Sequence, residues 1–314
     1  MNSAVRSSGG RLHSSGTCRG SGGAAVPAAS LQPESNVNKA GVQPALFFTM
    51  QRERVMVTYV TSKENPVFRD CRKLLHKKHR QKEHRFLAEG DNLCAEAVRS
   101  GMAVDLIFCE GTRFGDHAEE WNFSATYIFS RELFQQLTET ETSMGVLAVV
   151  RQKEYGDKEL DRIAGSDGNV VILDRLQDPG NIGTIIRTAE GAGYQAVFCV
   201  KGTADVYAPK TVRAAAGSLL RMPILSVENA EEAVQTAHRM GKRIAVTDVH
   251  GEFPYYEAGL SKKTALIIGN EGNGVSGTFL DSADVRVTIP MNGALESLNA
   301  SVAAGILMYE AVRG

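Results

Sequence analysis

The chain has 314 residues, enough for more than one domain, and its 35 Lys+Arg nearly cancel 36 Asp+Glu to leave a formal net charge of −1. That balance excludes a chain drawn to nucleic acid by its overall field, so any such affinity must come from local patches. No apolar run reaches bilayer-spanning length. The cysteines Cys18, Cys71, Cys94, Cys109 and Cys199 show no C-x-x-C and no His at ligand spacing, which points to reduced thiols in a cytosol-like compartment, with no metal site.

Residues 1–54 read as a leader. They are rich in Ser, Gly and Ala, with Arg6, Arg11, Arg19 and Lys39 against Glu34 up to about residue 50. Such a segment buries too little surface to offset its ordering entropy and is expected to be disordered. Its composition fits an organellar transit peptide, and equally a translation start at Met50 or Met56. The localisation expected is therefore cytoplasmic, or organellar if the leader is a transit peptide.

Residues 55–152 are expected to form a first folded unit. One helix is expected to carry Val67, Cys71, Leu74 and Leu75 as an apolar stripe. Its other face is basic, with Arg72, Lys73, Lys77, Lys78, Arg80, Lys82 and Arg85 against Glu83 alone. Most charge runs are simply solvated faces, but one sign concentrated in this way is what phosphate neutralisation needs. Then follow a strand at 85–88, a helix at 92–100, strands at 105–109 and 127–129, a short helix at 131–137 and a strand at 146–150. That alternation predicts a small α/β sandwich.

The polar, glycine-containing stretch 153–168 reads as a linker. In residues 169–314, strands at 170–174, 196–200, 224–227, 244–247, 265–268 and 285–289 alternate with helices at about 182–191, 210–220 and 230–240, which predicts an α/β domain on a parallel sheet. The continuous apolar run Ala265–Ile268, bounded by Gly269, has the look of a central parallel strand. The final helix is apolar almost all round and must be buried, against the sheet or a second subunit; Ser297 stands as its N-cap.

Two glycine-bearing loops, Gly269–Gly274 and Pro290–Gly293, follow strands at what would be the carboxyl edge of the sheet, where such folds bind ligands. A dinucleotide is disfavoured because Glu271 stands where a pyrophosphate would have to approach; a cationic or neutral ligand fits better. The stretches IIGNEGNGVS and IPMNGALESLNASVAAGILMYE, with Asn181-Ile182-Gly183-Thr184-Ile185-Ile186-Arg187 upstream, resemble in order the motifs of the SpoU/TrmH RNA 2′-O-methyltransferases of the SPOUT class. Together they are a specific signal; the glycine loop alone would be a weak one.

The resemblance implies a C-terminal parallel-sheet α/β domain with a deep trefoil knot, a homodimer, and an N-terminal domain that binds RNA. It implies transfer of a methyl group from S-adenosylmethionine to a ribose 2′-hydroxyl without a metal. Ribosomal RNA of the 23S type is favoured over transfer RNA because of the extra domain. The family pattern casts Arg187 as the catalytic arginine, Asn181 as orienting Arg187 or the ribose, and Ser297 and Asn299 as lining the transfer site. Glu271 and Glu296 are candidate partners for Arg187. Backbone at Gly269, Ile289 and Leu298 would hold the donor, with Thr247 a further pocket residue, and Arg213 would contact phosphate. A guanidinium is too basic to serve readily as general base, so electrostatic roles are expected of Arg187. Two other readings stand behind this one: a non-catalytic RNA-binding protein that keeps the fold, and a Rossmann-type dehydrogenase, which would need a G-x-G-x-x-G the sequence lacks.

Overall fold

The computed structural model describes residues 46–49, 54–111, 121, 125–139, 145–292 and 297–313. The leader up to residue 45 and Glu296 lie outside them.

The first sheet is mixed, in the order β1-β2-β5-β4-β6-β3. Its strands are β1 (Leu46–Thr49), β2 (Arg54–Val60), β3 (Arg85–Glu89), β4 (Ala103–Cys109), β5 (Thr126–Phe129) and β6 (Val146–Arg151). β1 pairs antiparallel with β2, so part of the stretch expected to be a disordered leader is a sheet edge. The strand at 54–60 was not foreseen either, because the sequence reading runs from there straight into a helix.

Period-two alternation divides the side chains between the faces. In β6, Val146, Ala148 and Val150 face the second domain's core, while Leu147 and Val149 pack on the opposite side with Phe68, Phe129 and Phe134. Those three phenylalanines are fully buried, each adding roughly 1.5–3 kcal/mol by the usual scale for a buried large apolar side chain.

The basic helix expected between 67 and 85 is two helices, α1 (Pro66–Lys73) and α2 (Lys77–Glu83). Asn65 caps α1, accepting from Val67 N at 2.9 Å. The chain then turns because Leu74 drops into the core, and the Arg80 Nη1 of α2 reaches back to Leu74 O at 2.7 Å.

The second sheet is wholly parallel, in the order β11-β13-β10-β12-β7-β8-β9. It comprises β7 (Val170–Leu173), β8 (Ala196–Val200), β9 (Ile224–Val227), β10 (Arg243–Thr247), β11 (Phe253–Pro254), β12 (Thr264–Ile268) and β13 (Val285–Thr288). β7, β8 and β12 are buried at every residue, as expected of parallel strands covered on both faces.

Between β6 and β7, the stretch read as a linker carries α5 (Asp157–Ala164), after α3 (Asp91–Arg99) and α4 (Arg131–Gln135) of the first domain. Ile163 of α5 is fully buried beneath β7 and β8. The same sheet face takes α8 (Ala230–Arg239) and Phe279 of α9 (Gly277–Asp281). The other face takes α6 (Pro179–Gly191) and α10 (Ala300–Arg313), through Ile182, Ile185, Ile186, Leu307 and Met308.

One continuous apolar core runs from that face into the first sheet, so the two domains are packed together and not merely tethered. α7 (Pro209–Ala215) lies at this junction and crosses α6 so closely that a Cβ on Gly183 would sit 2.5 Å from Thr211 O. The buried ion pair Arg80–Asp205, at 2.7 Å, joins the domains beside it.

Candidate active site

The carboxyl ends of β13, β10, β12 and β7 stand side by side in the second sheet. Residues 289, 247, 269 and 174 follow or end those strands, so loops distant in sequence are gathered at one edge of the sheet. This is where an α/β sheet collects ligand-binding residues.

The loop after β7 starts α6. Asp178 caps the helix, its Oδ1 accepting from Gly180 N at 2.5 Å and Asn181 N at 3.1 Å, and Pro179 fills the first helical position, where no amide donor is needed. The Asn181 N–H and the Lys210 ammonium together hold the Asp178 carboxyl below the usual carboxylate range. A reading that placed the helix start at Ile182 missed this cap, although Asp-Pro before an apolar-periodic run signals one.

Glu271 closes the other side. Its carboxylate accepts from Gln177 N at 3.1 Å, Asp178 N at 3.2 Å and Asn181 Nδ2 at 3.2 Å. Partial burial would raise its pKa; the N–H of Gln177, with Asn181 and Asp178 behind it, outweighs that and holds the group below the ordinary range. Asn270 fixes the loop by donating to Arg175 O at 2.8 Å and accepting from Gly272 N and Asn273 N at 3.0 Å each. Gly269 must be glycine because a Cβ there would lie 2.5 Å from the Gly274 carbonyl carbon.

Asn299 supplies the third side. Its Oδ1 accepts from Ser301 N at 2.9 Å and Val302 N at 3.3 Å, capping α10, while its Nδ2 donates to Asn181 Oδ1 at 3.0 Å. The expectation of Ser297 as N-cap is therefore corrected. Ser297 is exposed and the helix begins at Ala300, placing Asn299 in the capping position.

The structure thus brings Glu271, Asn181 and Asn299 into one hydrogen-bonded chain and leaves Arg187 outside it. Glu271 partners Asn181 and backbone, not the arginine. Arg187 is exposed on α6 and no hydrogen bond or ion pair holds its guanidinium among the described residues. Thr247 Oγ1 is committed to Ile267 O at 3.0 Å, so its hydroxyl hydrogen is already engaged. Ile289 and Leu298 are half-buried, and Ile289 packs against the central core.

The profile of the SpoU rRNA methylase family matches residues 168–309. Over 251 residues, 80% of this chain and 97% of its relative, the sequence is 37% identical to the 23S rRNA (guanosine(2553)-2′-O)-methyltransferase RlmP of Bacillus subtilis (strain 168). The chain belongs to the SpoU rRNA methylase family.

A second relative, the 23S rRNA (uridine(2479)-2′-O)-methyltransferase of Streptomyces viridochromogenes, is 33% identical over 83% of this chain and 94% of its own. The AdoMet-bound rRNA methyltransferase of Sinorhizobium meliloti superposes with a TM-score of 0.73 at 30% identity, covering 82% of this chain and 98% of that one. The SpoU methyltransferase AviRb of Streptomyces viridochromogenes, solved with AdoMet, gives 0.71 at 32% identity, covering 79% and 97%. Residues 65–148 match an MRM3-like substrate-binding domain.

In this SpoU chain the residues expected to bind RNA divide into two groups. Arg72, Lys73, Lys77 and Lys78 are exposed on α1 and α2, although Lys73 already pairs with Asp70 at 2.7 Å. Arg80 is not exposed. Its side chain is 5% accessible, and its Nε and Nη2 both reach Asp205 Oδ2, at 2.9 and 2.7 Å. It points away from solvent because position 80 lies on the inner side of α2, facing the second domain, so RNA contact for Arg80 is corrected to domain bracing. Arg213 is half-buried and pairs with Glu139 of the first domain at 3.2 Å. It too spans the domain junction in this structure.

Proposed function

We propose that this chain transfers a methyl group from S-adenosylmethionine to a ribose 2′-hydroxyl of ribosomal RNA. The observation that carries this reading is the Glu271–Asn181–Asn299 chain, which ties together the three motif regions of a SpoU methylase at one sheet edge. Names of two relatives more than 30% identical along most of their length support the ribosomal substrate.

The residues present suit the donor. Glu271, held ionised by backbone and Asn181, favours a cation and repels a phosphate. Gly269, Ile289 and Leu298, with Thr247 behind them, would hold it at the ends of neighbouring strands. When bound, S-adenosylmethionine supplies an electrophilic methyl on a positive sulfonium. The chain's own residues do the rest by position and charge. Asn181, locked between Glu271 and Asn299, presents a fixed face to the incoming ribose. Arg187, which has no partner among the described residues, grips the adjoining phosphate and stabilises negative charge as it develops on the 2′-oxygen, whose proton passes to water. Ser297, exposed two residues before Asn299, would line the same mouth.

The same reading makes the C-terminal domain a trefoil-knotted dimer. Val302, Tyr309 and Val312 on α10 are 50%, 54% and 56% exposed, an apolar stripe that a second copy would cover.

Titration calorimetry tests the donor assignment against the dehydrogenase alternative. S-adenosylmethionine should bind with a saturable heat and NADH should give none. Heat from NADH with none from S-adenosylmethionine would overturn it.

A further inference from the structure

We infer that Arg175 is a further RNA-contacting residue, a guanidinium held at the crevice mouth to grip a phosphate of the substrate strand. The inference rests on the methyltransferase reading above.

Arg175 has φ +58°, a left-handed conformation that Gly, Asn and Asp adopt more readily than an arginine. Such a residue persists only where its surroundings over-determine it. Here they do. Its carbonyl accepts from Asn270 Nδ2 and from Gln177 Nε2, both at 2.8 Å. Its side chain is aimed by Asp174, whose carboxylate is 1% accessible, accepts from Arg175 Nε at 2.9 Å, and takes Ser276 N on its other oxygen at 2.7 Å. The aliphatic stem runs along Gly202, where a Cβ would stand 3.2 Å from Arg175 Cγ. The slot is open because position 202 is glycine.

Of the Arg175 guanidinium nitrogens only Nε meets Asp174, whose other oxygen accepts from Ser276 N. Its terminal nitrogens have no hydrogen bond or ion pair among the described residues, and the side chain is 47% accessible. What remains is a planar pair of N–H donors, pre-aimed by a buried acid, in the geometry that takes a phosphate two-pronged. Its backbone lies two residues from Gln177, whose N–H meets Glu271, and is pinned by Asn270, the neighbour of Glu271. Gln177 also donates its Nε2 to Gly202 O at 2.8 Å, which links the slot that holds the fork to the loop that meets Glu271.

The test is steady-state methyl transfer on a ribosomal RNA fragment that the wild type methylates, for Arg175→Gln, Arg175→Gly and Arg175→Lys, at several salt concentrations. Calorimetry of S-adenosylmethionine and melting curves accompany it. Loss of one charge-assisted contact should raise KM for RNA roughly tenfold in the Gln and Gly variants. The slope of log KM against log salt should flatten by about 0.7 to 0.9, one phosphate's worth. Turnover at saturating RNA should change less than KM does. Lysine should restore the salt slope but only part of KM, having charge without the fork.

Wild-type KM and salt slope in the Gln and Gly variants would overturn the inference. So would a weakened donor affinity with RNA KM intact, which would assign the fork to the carboxylate of S-adenosylmethionine. A joint fall in melting temperature and donor affinity, with the salt slope unmoved, would make Arg175 a structural brace and overturn it as well. Failure of the wild type to methylate the fragment would instead strike the parent reading of function.

Discussion

Replacing Arg187 by lysine should lower single-turnover methyl transfer by about two to three orders of magnitude, while affinity for S-adenosylmethionine stays at the wild-type value. The size is that of losing one preorganised transition-state contact. The separation of the two readouts follows from the structure. Arg187 is exposed and tied to nothing among the described residues, so changing it disturbs neither the Glu271–Asn181–Asn299 chain nor the backbone at Gly269 and Ile289. Lysine keeps the charge and loses the planar fork, so a large loss would identify geometry as the contribution. A variant that transfers methyl at near wild-type rate with saturating donor would return the mechanism to Asn181, Ser297 and Asn299.

Arg80→Ala should cost about 3 kcal/mol of stability, because removing one partner of a buried ion pair leaves the other charge uncompensated. At this chain length that is a fall in melting temperature of roughly 4–6 °C. Among the described residues the Asp205 carboxylate would keep only the Tyr207 N–H at 3.0 Å, and Leu74 O would lose its Arg80 donor. Lys77→Ala with Lys78→Ala gives the contrast. Both lysines are exposed, so stability should hold within about 0.5 kcal/mol, while RNA binding weakens and its salt dependence flattens by roughly one to two contacts. Thermal melts and binding at several salt concentrations decide it. If Arg80→Ala melts like the wild type and only RNA binding suffers, the buried pair does not brace the domains.

The difference between Arg80 and its neighbours shows where sequence reasoning runs out. A run of basic residues reads as one charged face, with no Gly or Pro to mark a break. The turn at 74–76 is set by tertiary contacts: Leu74 entering the core, and Arg80 meeting an aspartate far along the chain. The central strands were legible because β7, β8 and β12 are buried on both faces and must be continuously apolar.

The cap of α10 was not legible. Ser297 and Asn299 are both good capping residues, and the choice depends on Asn181, 118 positions away. The helix at 157–164 hides in a polar stretch because a single apolar side chain, Ile163, is fully buried from it. Among the candidate site residues, Asn181, Glu271 and Asn299, which the structure joins by hydrogen bonds, were readable from the motifs. Gln177, Asn270 and Asp174 were not, because their roles are hydrogen bonds between loops that meet only once the sheet has formed.

The central claim is that the chain methylates ribose and not base. Wild-type protein incubated with methyl-labelled S-adenosylmethionine and unmodified ribosomal RNA, followed by digestion to nucleosides and mass analysis, tests it most directly. The account predicts label in a single 2′-O-methyl nucleoside, lost when Arg187 is replaced. Label on a base, or none while the donor binds and the RNA is retained, would contradict it.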